Sequence, residues 1–145
     1  MRSLLSRIEL VVVFTISFFP LVVILDSISK PFYVAFIEEL FGKTVPLLLT
    51  FLILHPLDSW VDNGVVGIIC GMTFGYLEIF TKTLILGFFS PLMLLPFSFV
   101  HCVNGMVDGV LIGEGIKRKW WSLIPLAYIL TSFHHMTWNT LVGFM

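Results

Sequence analysis

The stretch FIEELFGKTVPLLL, Phe36 to Leu49, sets two adjacent glutamates, Glu38 and Glu39, and a lysine, Lys43, inside one of the most apolar parts of the chain. An ionised carboxylate at the centre of a bilayer costs at least roughly 2.5–3.5 kcal/mol, so such residues are rare in membrane spans and point to function where they occur. Composition decides whether these residues meet a membrane at all. Of 145 residues, 58% are apolar and only 12% charged, and mean hydropathy is +1.04. A soluble domain carries about 25% charge. The chain therefore reads as an all-α integral membrane protein. Its net charge of −1 gives no reason to expect nucleic acid as a partner.

Working outward, five apolar runs approach the roughly 20 residues that a bilayer crossing needs. They are residues 8–25, 31–54, 64–88, 91–112 and 120–144. The joints are short and polar: DSISK, HPLDSWVDN, the Ser90-Pro91 break and GEGIKRK. The expectation is one domain over 1–145, a bundle of about five transmembrane helices around a polar intramembrane cavity. MRSLLSR reads as part of an uncleaved anchor, because the following run is long and no small-x-small site follows it. Arg2, Arg7 and Lys117–Lys119 then fall on one side, which the positive-inside rule makes cytoplasmic. The N-terminus is expected in and the C-terminus out. Cys70 and Cys102 lie in apolar runs without metal-ligand spacing and read as core thiols. Gly67, Gly71 and Gly75, four apart, read as a close helix-packing face.

The polar residues inside the spans converge in depth. At a rise of about 1.5 Å per residue, Glu38 lies roughly 11 Å from the outer end of its span. Glu78, His101 and His135 each lie roughly 15 Å in, and Asn139 roughly 9 Å. The spans alternate in direction, so sequence position alone does not force this agreement. Glu39 and Lys43, at i,i+4, suit an ion pair, which leaves Glu38 the freer carboxylate. His135 and Asn139, also at i,i+4, point one way. His134 points elsewhere, and Asp62 is the expected cap of the third span. A buried glutamate, imidazoles and an amide suit hydrolysis of a peptide bond: a base takes a proton from water, and donors hold the oxyanion.

These residues resemble the PrsW-type glutamic intramembrane peptidases and their relatives, the CAAX prenyl endopeptidases and bacteriocin-processing membrane proteases. The resemblance runs from Glu38 to Asn139. It rests on the double glutamate, on DNGVVGIICGMTFGYLEI with Glu78, on FSFVHCVNGMVDG with His101, and on HMTWN with His135 and Asn139. The EExxxK spacing of Glu38, Glu39 and Lys43 is similar to the EExxxR of the CAAX-type enzymes, and Phe97 with His101 to their FxxxH. In PrsW-like proteins an asparagine commonly follows the third glutamate; here it is Ile79.

The resemblance implies a prokaryotic plasma-membrane protease acting on transmembrane or membrane-proximal protein substrates within the lipid bilayer. Glu38 would be the base, with Glu39 beside it. His101 and His135 would position water, Asn139 would hold the oxyanion, and Lys43 and Glu78 would support them. Glu78, His101 and His135 also form a donor set with an open position that suits zinc. A glutamate base needs no ion, and that reading, with no cofactor, is preferred. Two rivals share the composition. One is a small proton- or ion-coupled transporter, with Asp108 extending a path inward. The other is a non-catalytic scaffold that binds membrane helices.

Overall fold

The structure, a computed structural model, describes residues 3–86 and 91–141, with side chains given outside 31 and 85–97. It is all-helical, and no strand occurs among the described residues. Helix α1 spans Leu4–Ile28. A second rod consists of α2, Pro31–Glu39, a π-helical turn, Leu40–Thr44, and α3, Val45–Leu54. Then come α4, Trp60–Leu86, α5, Pro91–Arg118, and α6, Leu123–Leu141. Two of these helices are long and apolar enough to cross a membrane: Leu4–Ile28, with mean hydropathy 2.7, and Trp60–Leu84, with 1.5. Arg2, Ser90, the Phe97 side chain and the end of the fifth expected span lie outside the described residues.

The boundaries follow from local chemistry. Ser3 caps α1, its hydroxyl accepting from Ser6 N at 3.4 Å. Pro31 starts α2, and Lys30 before it is extended, as a residue preceding proline must tend to be. Helix α3 stops at His55 because Pro56 follows, and His55 takes a positive φ of 59°. Two helix-end carbonyls are then left over. Arg7 satisfies both, donating from Nε to His55 O and from Nη2 to Leu54 O, each at 2.8 Å. So Arg7 is buried and ties α1 to the end of α3, beyond any part it has in topology. At the start of α4 the cap is Ser59, whose hydroxyl accepts from Asp62 N at 3.3 Å; the expected capping residue, Asp62, is the donor in this bond.

The π-helical turn has its cause in Pro46. A proline has no N–H to give the carbonyl four residues earlier, here Gly42 O. The ladder widens instead, with Val45 N bonding to Leu40 O, and Cys70 Sγ approaches Gly42 O at 3.7 Å.

Helices α4 and α5 pack antiparallel through their glycines. A Cβ at Gly67 would run into Gly105 O, and one at Gly71 into His101 O. A Cβ at Gly109 would meet Asn63 O. The backbones touch because neither face carries a side chain there. Helix α1 lies parallel to α4, with Thr15 against Cys70 and Phe19 against Phe74. Helix α6 packs on α5 and α2.

Polarity is distributed inside-out. Glu38, Glu39, Lys43, Glu78, His101, Asn104, Asp108 and His135 are all buried. Large apolar side chains face outward: Val13 and Ile24 on α1, Phe80 and Leu84 on α4, Phe99 on α5, Ile129 and Phe133 on α6.

Candidate active site

Four helical rods meet at the buried cluster, and the second rod supplies three of its members, Glu38 and Glu39 at the end of α2 and Lys43 in the wide turn. Glu39 and Lys43 form a fully buried ion pair across it, both at 0% exposure. Glu39 Oε1 also accepts from Asn104 Nδ2 at 2.9 Å, and His135 Nδ1 stands 2.8 Å from it. This last approach is close but lacks hydrogen-bond geometry. Lys43 Nζ reaches on to His101 Nδ1 at 3.1 Å.

His101 is held from both sides. Its Nε2 donates to Glu78 Oε2 at 2.6 Å, and Nδ1 accepts from Lys43, a pairing that assigns the ring proton to Nε2. Glu78 is in turn paired with Lys82 one helical turn away. The Gly71 and Gly75 contacts of α4 press against the His101 backbone and ring, so the glycine stripe positions this imidazole. His101 and His135 stand edge to face with ring centroids 4.8 Å apart. His135 Nε2 lies 3.4 Å from Glu38 Oε2.

Glu38 differs from its neighbour. It is 1% exposed, yet its Oε2 has no hydrogen-bond partner among the described residues. It faces a cavity of about 400 Å³ between α1, α2 and α4, which Asp26, Phe74, Glu78 and Lys82 also line. Glu39 Oε2 is likewise without a partner. The reading that left Glu38 the freer carboxylate agrees with this geometry.

Glu38, Glu39, Lys43, Glu78, His101 and His135 are therefore in one connected cluster. Asn139 is buried one turn along α6 from His135, but it makes no hydrogen bond to that cluster among the described residues. Three further residues join it. Asn104 clamps α5 to α2 and α6, donating also to Thr131 O at 3.1 Å, with His134 Nδ1 donating to its Oδ1 at 2.5 Å. Asp108 accepts from Thr131 at 3.1 Å and from Thr44 at 3.3 Å. Asp26 reaches Glu38 from α1. The spacing of Asn104, three residues after His101, was a usable signal, since it shares that helical face. Asp26 closes an apolar run and reads locally as an interfacial residue.

A metal would need different neighbours. The compact donor set is Glu39, His101 and His135, whose ligand atoms lie within 4.8 Å of one another. The sequence had pointed to Glu78 in that place, but Glu78 engages the far nitrogen of His101 together with Lys82. Lys43 Nζ engages both Glu39 Oε1 and His101 Nδ1, so an ammonium competes with a metal ion for two of those three residues. These residues do not fit a metal while Lys43 is there.

Compared with known proteins, the chain matches no family model, no curated protein and no solved structure.

Proposed function

We propose that the chain is an intramembrane endopeptidase in which Glu38 activates water. It would cross the plasma membrane of a prokaryotic cell five times, with the N-terminus cytoplasmic. The inside-out polarity supports the membrane setting, since outward apolar side chains occur on all five rods. One observation carries the catalytic reading. A buried carboxylate on a cavity wall offers an oxygen with no hydrogen-bond partner among the described residues, and an imidazole stands 3.4 Å away.

In that arrangement Glu38 takes a proton from water while the water oxygen attacks the peptide carbonyl; collapse of the tetrahedral intermediate then breaks the C–N bond, and the Glu38 carboxylic acid returns its proton to the leaving amine. His135 orients the water. Glu39, neutralised by Lys43, stands 2.8 Å from the other nitrogen of His135. Glu78 holds His101 as the second imidazole wall. Asn139, on the His135 face of α6, is the assigned oxyanion donor. General-base catalysis is worth roughly 10²–10⁴ in rate.

The test is cleavage of fluorogenic transmembrane peptides by the purified protein. Glu38→Gln keeps the shape and removes the base, so kcat should fall at least roughly a hundredfold with folding intact. Cleavage should persist under thorough chelation, given the place of Lys43. Undiminished cleavage by Glu38→Gln would sink the reading.

A second reading has its own observation. Polar contacts run from Lys82 through Glu78, His101, Lys43 and Glu39 to Asn104, which donates to the Thr131 carbonyl, and the Thr131 hydroxyl donates to Asp108. Such a chain suits proton transfer in a small transporter. Proton flux in proteoliposomes, lost in Asp108→Asn and accompanied by no peptide cleavage, would favour it.

A further inference from the structure

The cavity between α1, α2 and α4 has a charge pattern that the hydrolytic reading does not use. Two carboxylate oxygens at it, Asp26 Oδ1 and Glu38 Oε2, are buried and have no hydrogen-bond partner among the described residues. The two residues, from α1 and α2, line the same cavity. Ionised carboxylates only accept hydrogen bonds, so neither can satisfy the other in that form. The third acid of the cavity, Glu78, is compensated by Lys82 and His101. Glu38 is 1% exposed, so bulk water reaches it poorly. Phe19, Val22, Val23 and Phe74 form the cavity's apolar walls, and Ser27, Thr81 and Lys82 complete the lining.

A primary ammonium group answers this pattern. It adds a second positive charge to that of Lys82, which lines the cavity paired with Glu78, and brings three N–H donors, enough to meet both oxygens. A carboxylate has about four acceptor sites, so Glu38 can accept from an ammonium and from water together. The apolar walls take the carbon stem behind the charge, as long cationic side chains bury their stems elsewhere.

We propose that this cavity recognises a primary ammonium group on an apolar stem, held between Asp26 and Glu38. Resting on the peptidase reading, substrates carry that group as a lysine side chain beside the bond to be cut, or as a free α-amino terminus a few residues before it. Asp26 is then a specificity residue on α1 and takes no part in the bond-breaking step.

The binding test needs no cleavage. A fluorescently labelled octylamine should bind the detergent-purified protein saturably, and its N-acetyl derivative at least roughly tenfold more weakly. Asp26→Asn should lower amine affinity roughly ten- to hundredfold, and Asp26→Glu should restore most of it, with thermal unfolding reporting that each variant is folded. Equal binding of amine and N-acetyl derivative, or binding indifferent to Asp26→Asn, overturns the site. In cleavage assays, peptides with lysine are set against norleucine, and free N-termini against acetylated ones; the preferred pair identifies the source of the ammonium. Amine binding with no cleavage of any peptide keeps the site and removes the peptidase. Cleavage with no preference for either amine keeps the peptidase and removes the site.

Discussion

At Lys43 a buried ammonium touches both halves of the cluster, Glu39 on its own rod and His101 on α5. Replacing it by methionine preserves the apolar stem and leaves Glu39 as an uncompensated buried charge. Breaking a buried pair from one side costs about 3–5 kcal/mol. Lys43→Met should therefore lower unfolding stability in detergent by about that amount, while Lys43→Met with Glu39→Leu recovers most of it. An unchanged Lys43→Met midpoint would mean that Glu39 has other support. The Glu39–Lys43 pair was legible in the sequence, because i,i+4 spacing is a local relation. The convergence of Glu38, Glu78, His101 and His135 was legible too, because depth follows from counting residues. Rotation about each helix axis does not follow from counting. Depth arithmetic therefore did not reveal that Glu39 rather than Glu78 groups compactly with the two histidines, or that Asp26 lines the cavity from α1.

At the scale of elements, the π-helical turn and the glycine seam aim the side chains. The α-helical template used to read residues 31–54 hides the turn, although Pro46 four residues after Gly42 was its signal. The turn needs a bare Gly42, since a Cβ there would run into the Phe74 ring, with Cγ at 3.0 Å. Gly42→Ala should destabilise the fold by about 1–3 kcal/mol, and Phe74→Leu should relieve part of that in the double variant. Denaturant unfolding of the two single variants and the double variant measures the coupling. The seam makes a sharper case. At Gly71 a Cβ would strike the His101 carbonyl, with its carbon at 2.6 Å and Cys102 N at 3.1 Å. Backbone has no rotamer to give, so α4 and α5 must separate in Gly71→Ala. That moves His101 away from Lys43 and Glu78, and displacements of about 1 Å can cost a hundredfold in rate. On the peptidase proposal, cleavage should therefore fall by more than stability does. Equal losses in kcat and in folded fraction would assign the seam to packing alone.

At the scale of the whole molecule, apolar run lengths marked out the five rods, but not which face of each rod would be polar. The helices are too weakly amphipathic for a stripe to stand out: α1, for example, is apolar almost all round, and only its contacts select Val11, Thr15 and Val22 as the inner side. Charge at the ends adds orientation. Exposed Lys117 and Arg118 end α5 and Lys119 follows it, and Trp120 and Trp121 lie exposed beside them, a pairing suited to a membrane interface. Arg7 sits at the same end, but its guanidinium is committed to Leu54 O and His55 O, which discounts it as a topology signal. If five crossings hold, single cysteines at Ser3 and Lys119 in a background with Cys70 and Cys102 replaced should be shielded from an impermeant thiol reagent in intact cells. A cysteine at Thr140, exposed near the far end of α6, should react. Labelling of Ser3 and Lys119 with Thr140 protected would invert the protein. It would also put Glu38 in the inner leaflet, and the substrates would then have to be cut from the cytoplasmic side.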